Sequence, residues 1–487
     1  MWALSSVGCR RLGTAGSVAA AAGGWAAGTL PARDPWGLWM PHGPVPTVAA
    51  TVLAYTGLTL LVVAWWQFGA TGASVRDTMR TLLCWAAPLA LAPPLYSADV
   101  YSYIAQGAMV TEGLDVYSVG PSALDPSGPG ADAAASVGRN WTDTPAPYGP
   151  LFLMLARGAA ALTGGTIVPA VLAMRVIALG ALVLIVWALR RLARDHGVSE
   201  SGALWLGALN PLLLIHVVGG MHNDGLMIGL MLAGVLLAVR GRWVAGSALT
   251  GLAVMVKSPA ALALLFIGVL VARTASGPLV RRAAKGLLVP GLVAGAVAVA
   301  VSLLAGTGFG WLRTQGVART IHTPLSAGSD LGLGLGHLFH QLLGIEPQPV
   351  KTGVQTVALA AALALTVLLA LRSANGRHPP VHALGLALLW LVALSPMVQP
   401  WYLLWGTTVI AATAWQSGAG KVSAVLSAAL VYETHPSGST PAYGFVLAGV
   451  VCVIAAVLVR RAGTVQPEAA AALPAPCHAG AVQEAHD

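Results

Sequence analysis

Charged residues are scarce in this chain. Asp, Glu, Lys and Arg make up 9% of its 487 residues, whereas 56% are hydrophobic and the mean hydropathy is +0.76. A soluble domain carries about 25% charged residues, so the composition excludes an ordinary soluble protein and predicts a surface that faces lipid. The 58 glycines and 31 prolines fit this interpretation, because transmembrane helices tolerate both residues better than soluble helices do.

Cysteines are also few. The chain has four, and they are scattered without metal-ligand spacing and without the pattern of a disulfide framework: Cys9, Cys84, Cys452 and Cys477. His337 and His340 lie three residues apart, but no third metal ligand is evident near them. We therefore expect neither a metal nor another cofactor.

Long apolar runs fill most of the chain. A spanning helix needs roughly 20 apolar residues, with a range of about 17–25. Fourteen segments approach that length, near residues 12–31, 46–68, 81–95, 167–190, 201–219, 225–240, 243–257, 259–273, 286–306, 353–372, 381–399, 401–416, 421–435 and 441–459. We predict an all-α integral membrane bundle of about 13–14 transmembrane helices. One polytopic domain would cover 1–461, followed by a disordered cytoplasmic tail over 462–487. The first segment can also be interpreted as a cleaved signal peptide.

The net charge of +9 does not indicate a nucleic-acid partner. The basic residues lie in short connections between apolar runs, which is a signal of membrane topology. With the N-terminus in the cytoplasm, all but eight of the 26 Lys and Arg residues fall on the cytoplasmic side. The sequence thus predicts a multi-pass cell-membrane protein with both termini in the cytoplasm. The eight exceptions are Arg33, Arg139, Arg157, Arg175, Lys257, Arg313, Arg319 and Lys351.

Two long polar segments are assigned to the outer side, over residues 96–166 and 307–352. Within the first, residues 151–164 are apolar but short and are interrupted by Arg157. Counting them as a span would place the basic run at 190–194 outside. We therefore predict a helix that lies along the outer membrane surface.

The stretch YSADVYSYIAQG, Tyr96–Gly107, opens the first outer segment. Its carboxylate, Asp99, lies just beyond a helix end among hydroxyl groups, where a pKa can be tuned for proton abstraction. The structural alternative is a helix cap, with Ser97 or Asp99 starting a new helix. Tyr103 and Gln106 are candidate neighbours of a bound substrate.

Four basic residues on the outer side are candidates for binding an anionic group. Lys257 lies in MVKSP at the outer end of a short helical hairpin, and Arg175 lies in the outer half of the 167–190 segment. An ammonium or guanidinium group in that position is costly, and phosphate is its obvious partner. Arg313 and Arg319 in the second outer segment complete a possible clamp. The alternative for Lys257 is snorkelling to the membrane surface.

Three further motifs combine polar and aromatic residues. The candidate substrate-binding residues in TPAPYGP, HNDG and SPMVQPWYLLW are Tyr148, His222, Asn223, Asp224, Gln399, Trp401 and Tyr402. Ordinary turn chemistry explains the first two motifs equally well, and an interfacial aromatic belt explains the third. Each residue is nevertheless suited to stacking on a sugar or to hydrogen bonding with its hydroxyl groups.

Taken in order, YSADVYSYIAQG, APYGP, LNPLLLIHVVGGMHND, MVKSP and VQPWYLLW resemble a known family. They are similar to the actinobacterial polyprenol-phosphomannose-dependent α-1,6-mannosyltransferases, integral-membrane glycosyltransferases of the GT-C fold. The resemblance covers about residues 10–460. It implies a polyprenyl-phosphate-mannose donor, a lipid-anchored α-1,6-mannan acceptor and a role in cell-envelope biosynthesis of the lipomannan and lipoarabinomannan type. It also implies an essential Asp at or near Asp99, on the extracytoplasmic face, and an inverting reaction.

Three alternatives stay open at this point. The sugar of the donor can be arabinose or glucose, because the sequence does not distinguish sugars that differ by one hydroxyl group. A transporter or flippase would carry charged residues at mid-membrane in several helices, and ideally inverted repeats. A non-catalytic partner of a cell-wall complex is the third alternative.

Overall fold

The computed structural model describes residues 4–464, and within that range all regular secondary structure is helical. The first part of the chain forms α1 (Ser6–Ala27), α2 (Pro44–Phe68), α3 (Val75–Leu91), α4 (Asp99–Thr111), α5 (Ala131–Ala135), α6 (Pro150–Leu162), α7 (Ile167–Asp195), α8 (Glu200–Gly207) and α9 (Pro211–Leu213). The second part forms α10 (Asp224–Val239), α11 (Trp243–Val254), α12 (Ala261–Thr274), α13 (Leu279–Ala305), α14 (Ala327–Leu343), α15 (Pro347–Ala374), α16 (Pro380–Ala393), α17 (Leu403–Ala414), α18 (Gly418–Leu430) and α19 (Ala442–Thr464).

Five of the described helices are long and apolar enough to cross a membrane, namely α2, α7, α13, α15 and α19. The chain is thus a multi-span helical membrane protein, as predicted. The number of full-length spans is smaller than the fourteen apolar segments suggested. Several of those segments, including α10, α11, α16 and α18, form helices of 10–17 residues, which individually are shorter than the roughly 20 residues that a span requires.

The segment predicted as one helix over 201–219 is broken in the structure. It consists of α8 and of α9 continued by a π-helical turn, Leu214–Gly219, and the two parts are bent by 48°. The break falls at Asn210 and Pro211. Pro211 has no N–H to continue the hydrogen bonding of α8, and the Asn210 side chain accepts a hydrogen bond from Leu212 N at 2.9 Å, as a helix cap does. If this bent pair counts as one span, the number of candidate spans among the described residues is six.

The two predicted outer segments contain more helix than loop. The first holds α4, α5 and α6, so the predicted helix at 151–164 is present as α6. The second begins with a 3₁₀ helix, Gly310–Arg319, and then forms α14 and the first turn of α15. Of the predicted tail over 462–487, residues 465–487 lie outside the described range, and 462–464 continue α19.

Glycines let α1 and α2 approach closely. A Cβ atom on Gly57 would collide with the backbone of α1 at Gly16, Ala19 and Ala20, and one on Gly16 would lie 2.6 Å from the carbonyl oxygen of Gly57. Such small-residue contacts are typical of helices packed in membranes. The following helix, α3, packs on α1 and ends where the stretch containing Asp99 begins.

Candidate active site

One cavity of about 390 Å³ collects side chains from several separate parts of the chain. Polar and aromatic side chains come from the start of α4, the turn before α6, the break between α11 and α12, the 3₁₀ helix at 310–319 and the segment that leads into α17, and apolar side chains come from α12, α15 and α16. The predicted site residues that line it are Asp99, Tyr148, Lys257, Arg319, Gln399, Trp401 and Tyr402. Residues that were predicted separately, from four motifs and from the second outer segment, therefore face one cavity.

Asp99 is the first residue of α4. Its backbone N donates to Ser97 Oγ at 3.1 Å, so the predicted helix start at this position is confirmed. Its carboxylate lies 3.3 Å from His222 Nδ1, and its side chain is 17% exposed. Burial raises the pKa of Asp99, but the contact with His222 and the positive charge of Lys257 outweigh burial, and the net pKa lies below its ordinary value. The group is therefore held as a carboxylate.

Trp401 fixes the ring of His222. The two rings are stacked with centroids 3.6 Å apart and an interplanar angle of 23°, and His222 is buried.

Two described residues other than glycine have positive φ, Tyr96 at 62° and Met221 at 55°. They lie three residues before Asp99 and immediately before His222. Each such conformation costs on the order of 1–3 kcal/mol and persists where the surroundings enforce it, so backbone strain is concentrated on both sides of the Asp99–His222 contact.

Lys257 forms a buried ion pair with Asp224, the first residue of α10. Its Nζ lies 2.9 Å from both carboxylate oxygens, and its side chain is 14% exposed against 1% for Asp224. The ammonium group also lies 4.4 Å from the ring centroid of Tyr402, within cation–π range. An ammonium group has three N–H donors, so Lys257 keeps donor capacity towards the cavity that it lines.

The proline-rich turn before α6 is attached to the break that carries Lys257. Gly149 N donates to Val256 O at 3.1 Å and Leu151 N donates to Met255 O at 3.0 Å. A Cβ atom at position 149 would collide with Met255, so glycine allows this close approach. Tyr148 is thereby held beside Lys257 at the cavity wall, where it packs edge-to-face against Tyr103 and Phe152.

Other predicted residues lie outside the cavity lining. Arg175 is buried and donates to the backbone carbonyls of Ala90, Ala92 and Gly219. Arg313 is exposed, with Asp115 at 3.6 Å and Ser118 at 3.3 Å. The structure thus gives both arginines partners within the protein and does not bring them to Lys257.

The remaining predicted polar residues form the layer behind the cavity wall. Tyr103 Oη accepts from Asn223 N at 3.5 Å. Gln106 and Asn223 are buried, and their side-chain amides have no hydrogen-bond partner among the described residues. Their predicted contact with substrate stays a prediction.

Trp405 was not singled out from the sequence. Its Nε1 donates to Asp224 Oδ1 at 2.7 Å, its ring is stacked on Tyr402 with centroids 4.3 Å apart, and it lines the cavity. It therefore completes the enclosure of the Lys257–Asp224 pair. The available signal was its position in VQPWYLLW, four residues after Trp401, which places both residues on one face of a helical segment.

These features define an all-helical membrane protein with a charged, aromatic-walled cavity, and comparison with known proteins shows that its class is the mannosyltransferases. The model of the family described as Alpha-(1->6)-mannopyranosyltransferase, N-terminal domain, matches residues 10–273, and a model described as MptB C-terminal domain matches residues 329–462. The chain belongs to this alpha-(1->6)-mannopyranosyltransferase family. Membership sets aside the transporter and the non-catalytic partner as alternatives.

Curated relatives support the same assignment. A probable alpha-(1->6)-mannopyranosyltransferase of Mycolicibacterium smegmatis is 37% identical over 87% of this chain and 81% of the relative. Alpha-(1->6)-mannopyranosyltransferase A of Mycobacterium tuberculosis is 34% identical, with 89% and 86% covered. Alpha-(1->6)-mannopyranosyltransferase B of Corynebacterium glutamicum is 33% identical, with 83% and 73% covered. No solved structure matches the chain.

Proposed function

We propose that this mannosyltransferase takes mannose from polyprenyl-phosphate-mannose and adds it to a lipid-anchored α-1,6-mannan at the extracytoplasmic face of the membrane. The GT-C-type arrangement implied by the sequence resemblance is part of the proposal. The observation that carries it is one cavity lined by the carboxylate of Asp99, the ammonium group of Lys257 and the guanidinium group of Arg319. A base and two cations in one space are what transfer from a sugar phosphate requires.

The charges of the cavity suit the phosphate of such a donor. Lys257 keeps donor capacity beyond its pair with Asp224, and Arg319 is exposed with no carboxylate in ion-pair distance among the described residues. Preorganised cations that face a developing negative charge lower the barrier of group transfer. The polyprenyl phosphate leaves as a stable anion, so the mechanism needs no general acid.

The apolar part of the cavity wall suits a lipid-linked donor. Leu262, Leu359 and Leu391 line it from α12, α15 and α16. The sugar would lie nearer Trp401 and Tyr402, because aromatic rings stack on sugar faces and Gln399 offers hydrogen bonds beside them. Donor and acceptor are both confined to the membrane, so a site at its surface spares either lipid from leaving the bilayer.

The reaction is then a single displacement at the anomeric carbon. The 6-hydroxyl oxygen of the acceptor forms the new bond while the bond to the phosphate oxygen breaks, and Asp99 accepts the hydroxyl proton. A β-linked donor gives an α-linked product, so the transfer is inverting. The contact of His222 with Asp99 and its stacking on Trp401 hold the carboxylate in place towards the cavity.

The test uses membranes that contain the full-length chain, labelled polyprenyl-phosphate mannose and an α-mannoside acceptor. We expect a labelled α-1,6-linked product, and a loss of about 10²–10⁴-fold for Asp99→Asn, which is the usual contribution of a general base. Asp115→Asn is the matched control, since Asp115 is an exposed carboxylate that does not line the cavity. Normal transfer by Asp99→Asn would refute its role as base, and product only from polyprenyl-phosphate arabinose or glucose would refute the mannose donor.

A further inference from the structure

A second large hollow lies on the outside of the bundle, between α3 and α7. It has a volume of about 550 Å³, and its lining shares no residue with the cavity that holds Asp99. Leu82, Ala86 and Leu182 are buried along its floor. Leu83 and Val183 on its sides are 66% and 69% exposed. The hollow is therefore an apolar groove that is open on the outside of the helix bundle.

The two ends of the groove differ. At one end Arg175 of α7 donates to the carbonyl oxygens of Ala90 and Ala92 at the end of α3, which joins the two helices there. At the other end Arg190 and Arg191 line the groove. The groove is thus closed by a structural arginine at one end and cationic at the other.

The cationic end keeps an excess of positive charge. Arg190 and Arg194 share Glu200, at 2.8 and 3.0 Å. Arg191 has no carboxylate in ion-pair distance in the part of the chain that the structure describes, and its guanidinium group lies 4.7 Å from the ring centroid of Trp187, which also lines the groove.

The first turns of α3 add to this excess. They bring the exposed Arg76 and Arg80 to the same end, while Asp77 faces Arg10 at 3.7 Å. The mouth of the groove therefore attracts an anion.

We propose that this groove is a binding site for one anionic phospholipid, with an acyl chain between α3 and α7 and the phosphate at Arg191. From Leu179 to Arg191 the groove follows α7 for about 18 Å at 1.5 Å per residue. One leaflet contributes about half of the roughly 30 Å hydrocarbon core, so the length fits one lipid of the leaflet on that side. Basic pockets between membrane helices bind anionic headgroups in this way.

The first experiment compares two lipids that differ in headgroup charge. Purified full-length protein in neutral detergent is titrated with dioleoylphosphatidylglycerol or dioleoylphosphatidylcholine, and the Tm is followed. We expect a larger rise in Tm with phosphatidylglycerol. Arg191→Gln should require about fivefold more phosphatidylglycerol for half of that rise, because one basic residue near the headgroup contributes about this factor.

Arg281→Gln is the matched control, because Arg281 is an exposed arginine of α13 that does not line the groove. It should leave the titration unchanged. Equal shifts with the two lipids in the wild type would overturn the proposal. So would an equal loss of selectivity in Arg191→Gln and Arg281→Gln, since that result indicates general attraction to negative charge.

A second variant tests the acyl chain separately from the arginine. Ala87 is exposed and lines the groove, so Ala87→Trp should fill the space without a change in charge and should remove the selective rise in Tm.

Phosphatidylglycerol brominated on its acyl chains should quench tryptophan emission in the wild type more than in Trp187→Phe. An unchanged selective rise in Ala87→Trp, or equal quenching in both proteins, would show that the lipid does not occupy the groove.

Discussion

The two ends of α10 each carry an ion pair, and the pairs differ sharply in their surroundings. At the first residue of the helix, Asp224 binds Lys257, with side chains 1% and 14% exposed. At the residue after the helix, Arg240 binds Asp195 at 2.8 Å, with side chains 44% and 25% exposed. Arg240 lies sixteen positions after Asp224, which corresponds to about 24 Å along the helix.

The helix dipole does not explain the difference. An acidic residue at the N-terminus and a basic residue at the C-terminus are both favourable, each by about 0.3–1 kcal/mol. What differs is burial and the neighbours. Asp224 also accepts from Trp405, and Lys257 lies over Tyr402 at the wall of a cavity. One pair joins the ends of α7 and α10 at the surface, whereas the other holds a cation beside the proposed site of transfer.

The largest expected effect comes from breaking each pair in turn. Asp224→Ala leaves the Lys257 ammonium group buried without its counter-ion and should lower the free energy of unfolding by about 3–5 kcal/mol. Asp195→Ala removes the partner of an exposed arginine and should lower it by less than about 1 kcal/mol. Unfolding in detergent, followed by tryptophan fluorescence, measures both. Equal losses would mean that the burial of the first pair has no energetic consequence.

The next largest effect separates stability from transfer. The double variant Lys257→Gln with Asp224→Asn removes both charges, and the amide oxygen introduced at position 224 can still accept from Trp405. Its stability should recover most of what Asp224→Ala loses, because replacing a whole buried pair is often close to neutral. Its rate of mannosyl transfer should still fall by about 10²–10³-fold, the usual cost of losing a group that stabilises charge in the transition state.

The matched control for this variant is Arg240→Gln with Asp195→Asn, which neutralises the exposed pair and should transfer mannose at the wild-type rate. Full activity in the Lys257→Gln and Asp224→Asn double variant would remove Lys257 from the mechanism. If the double variant is instead as unstable as Asp224→Ala, the charges of the pair stabilise the polar groups around it.

The contacts of Asp99 and Lys257 show which features could be predicted from the sequence. A helix start at this position was predicted as the structural alternative for Asp99, and α4 does begin at Asp99. The signal is local, since Asp99 N donates to Ser97 Oγ two residues earlier. The partner of Lys257 was not predicted, since Asp224 lies 33 positions away and is reached only when α10, α11 and α12 have packed. Contacts between residues close in sequence could be predicted, whereas contacts between distant residues could not.

Arg175 illustrates a second limit. Its position in an apolar helix predicted an anionic ligand, yet its partners are backbone carbonyls at the end of α3 and beside the π-helical turn. Every residue has a backbone carbonyl group, so no pattern of side chains predicts which carbonyls Arg175 will bind. Five described helices are long enough to span a membrane by themselves, fewer than the apolar segments, for a related reason. Hydropathy does not detect the bend at Asn210 and Pro211.

A smaller effect is expected from the aromatic ring next to Lys257. Tyr402→Leu removes the cation–π contact and should reduce kcat/KM by a factor of about 2–30, which corresponds to about 0.5–2 kcal/mol. Tyr402→Phe keeps the ring and should stay close to the wild type. Just beyond the other end of α10, Lys285 lies 5.7 Å from the Trp243 ring centroid, and Trp243→Leu should leave transfer unchanged. Similar losses for Tyr402→Leu and Tyr402→Phe would assign the effect to the hydroxyl group.

The smallest expected change at neutral pH comes from His222→Gln, because Lys257 remains to favour the carboxylate of Asp99. In the wild type the pKa of Asp99 lies below the ordinary 3.8 even though burial raises it, since the contact with His222 and the charge of Lys257 lower it. Because this pKa is depressed, Asp99 stays ionised as the pH falls to lower values. The ionised group contributes to stability above the pKa that it has in the unfolded chain, and that contribution is lost as the pH falls through the pKa of the folded protein.

Removing His222 leaves burial less opposed, so the pKa of Asp99 should rise. The acid limb of the pH profile of kcat/KM should therefore move to higher pH in His222→Gln, whereas His435→Gln should leave it in place, since His435 contacts Thr51 and Ser437 and does not line the cavity. Measurement of both pH profiles with labelled donor shows whether His222 lowers the pKa of Asp99. An unmoved limb together with a reduced rate at every pH would mean that His222 orients Asp99 without lowering its pKa.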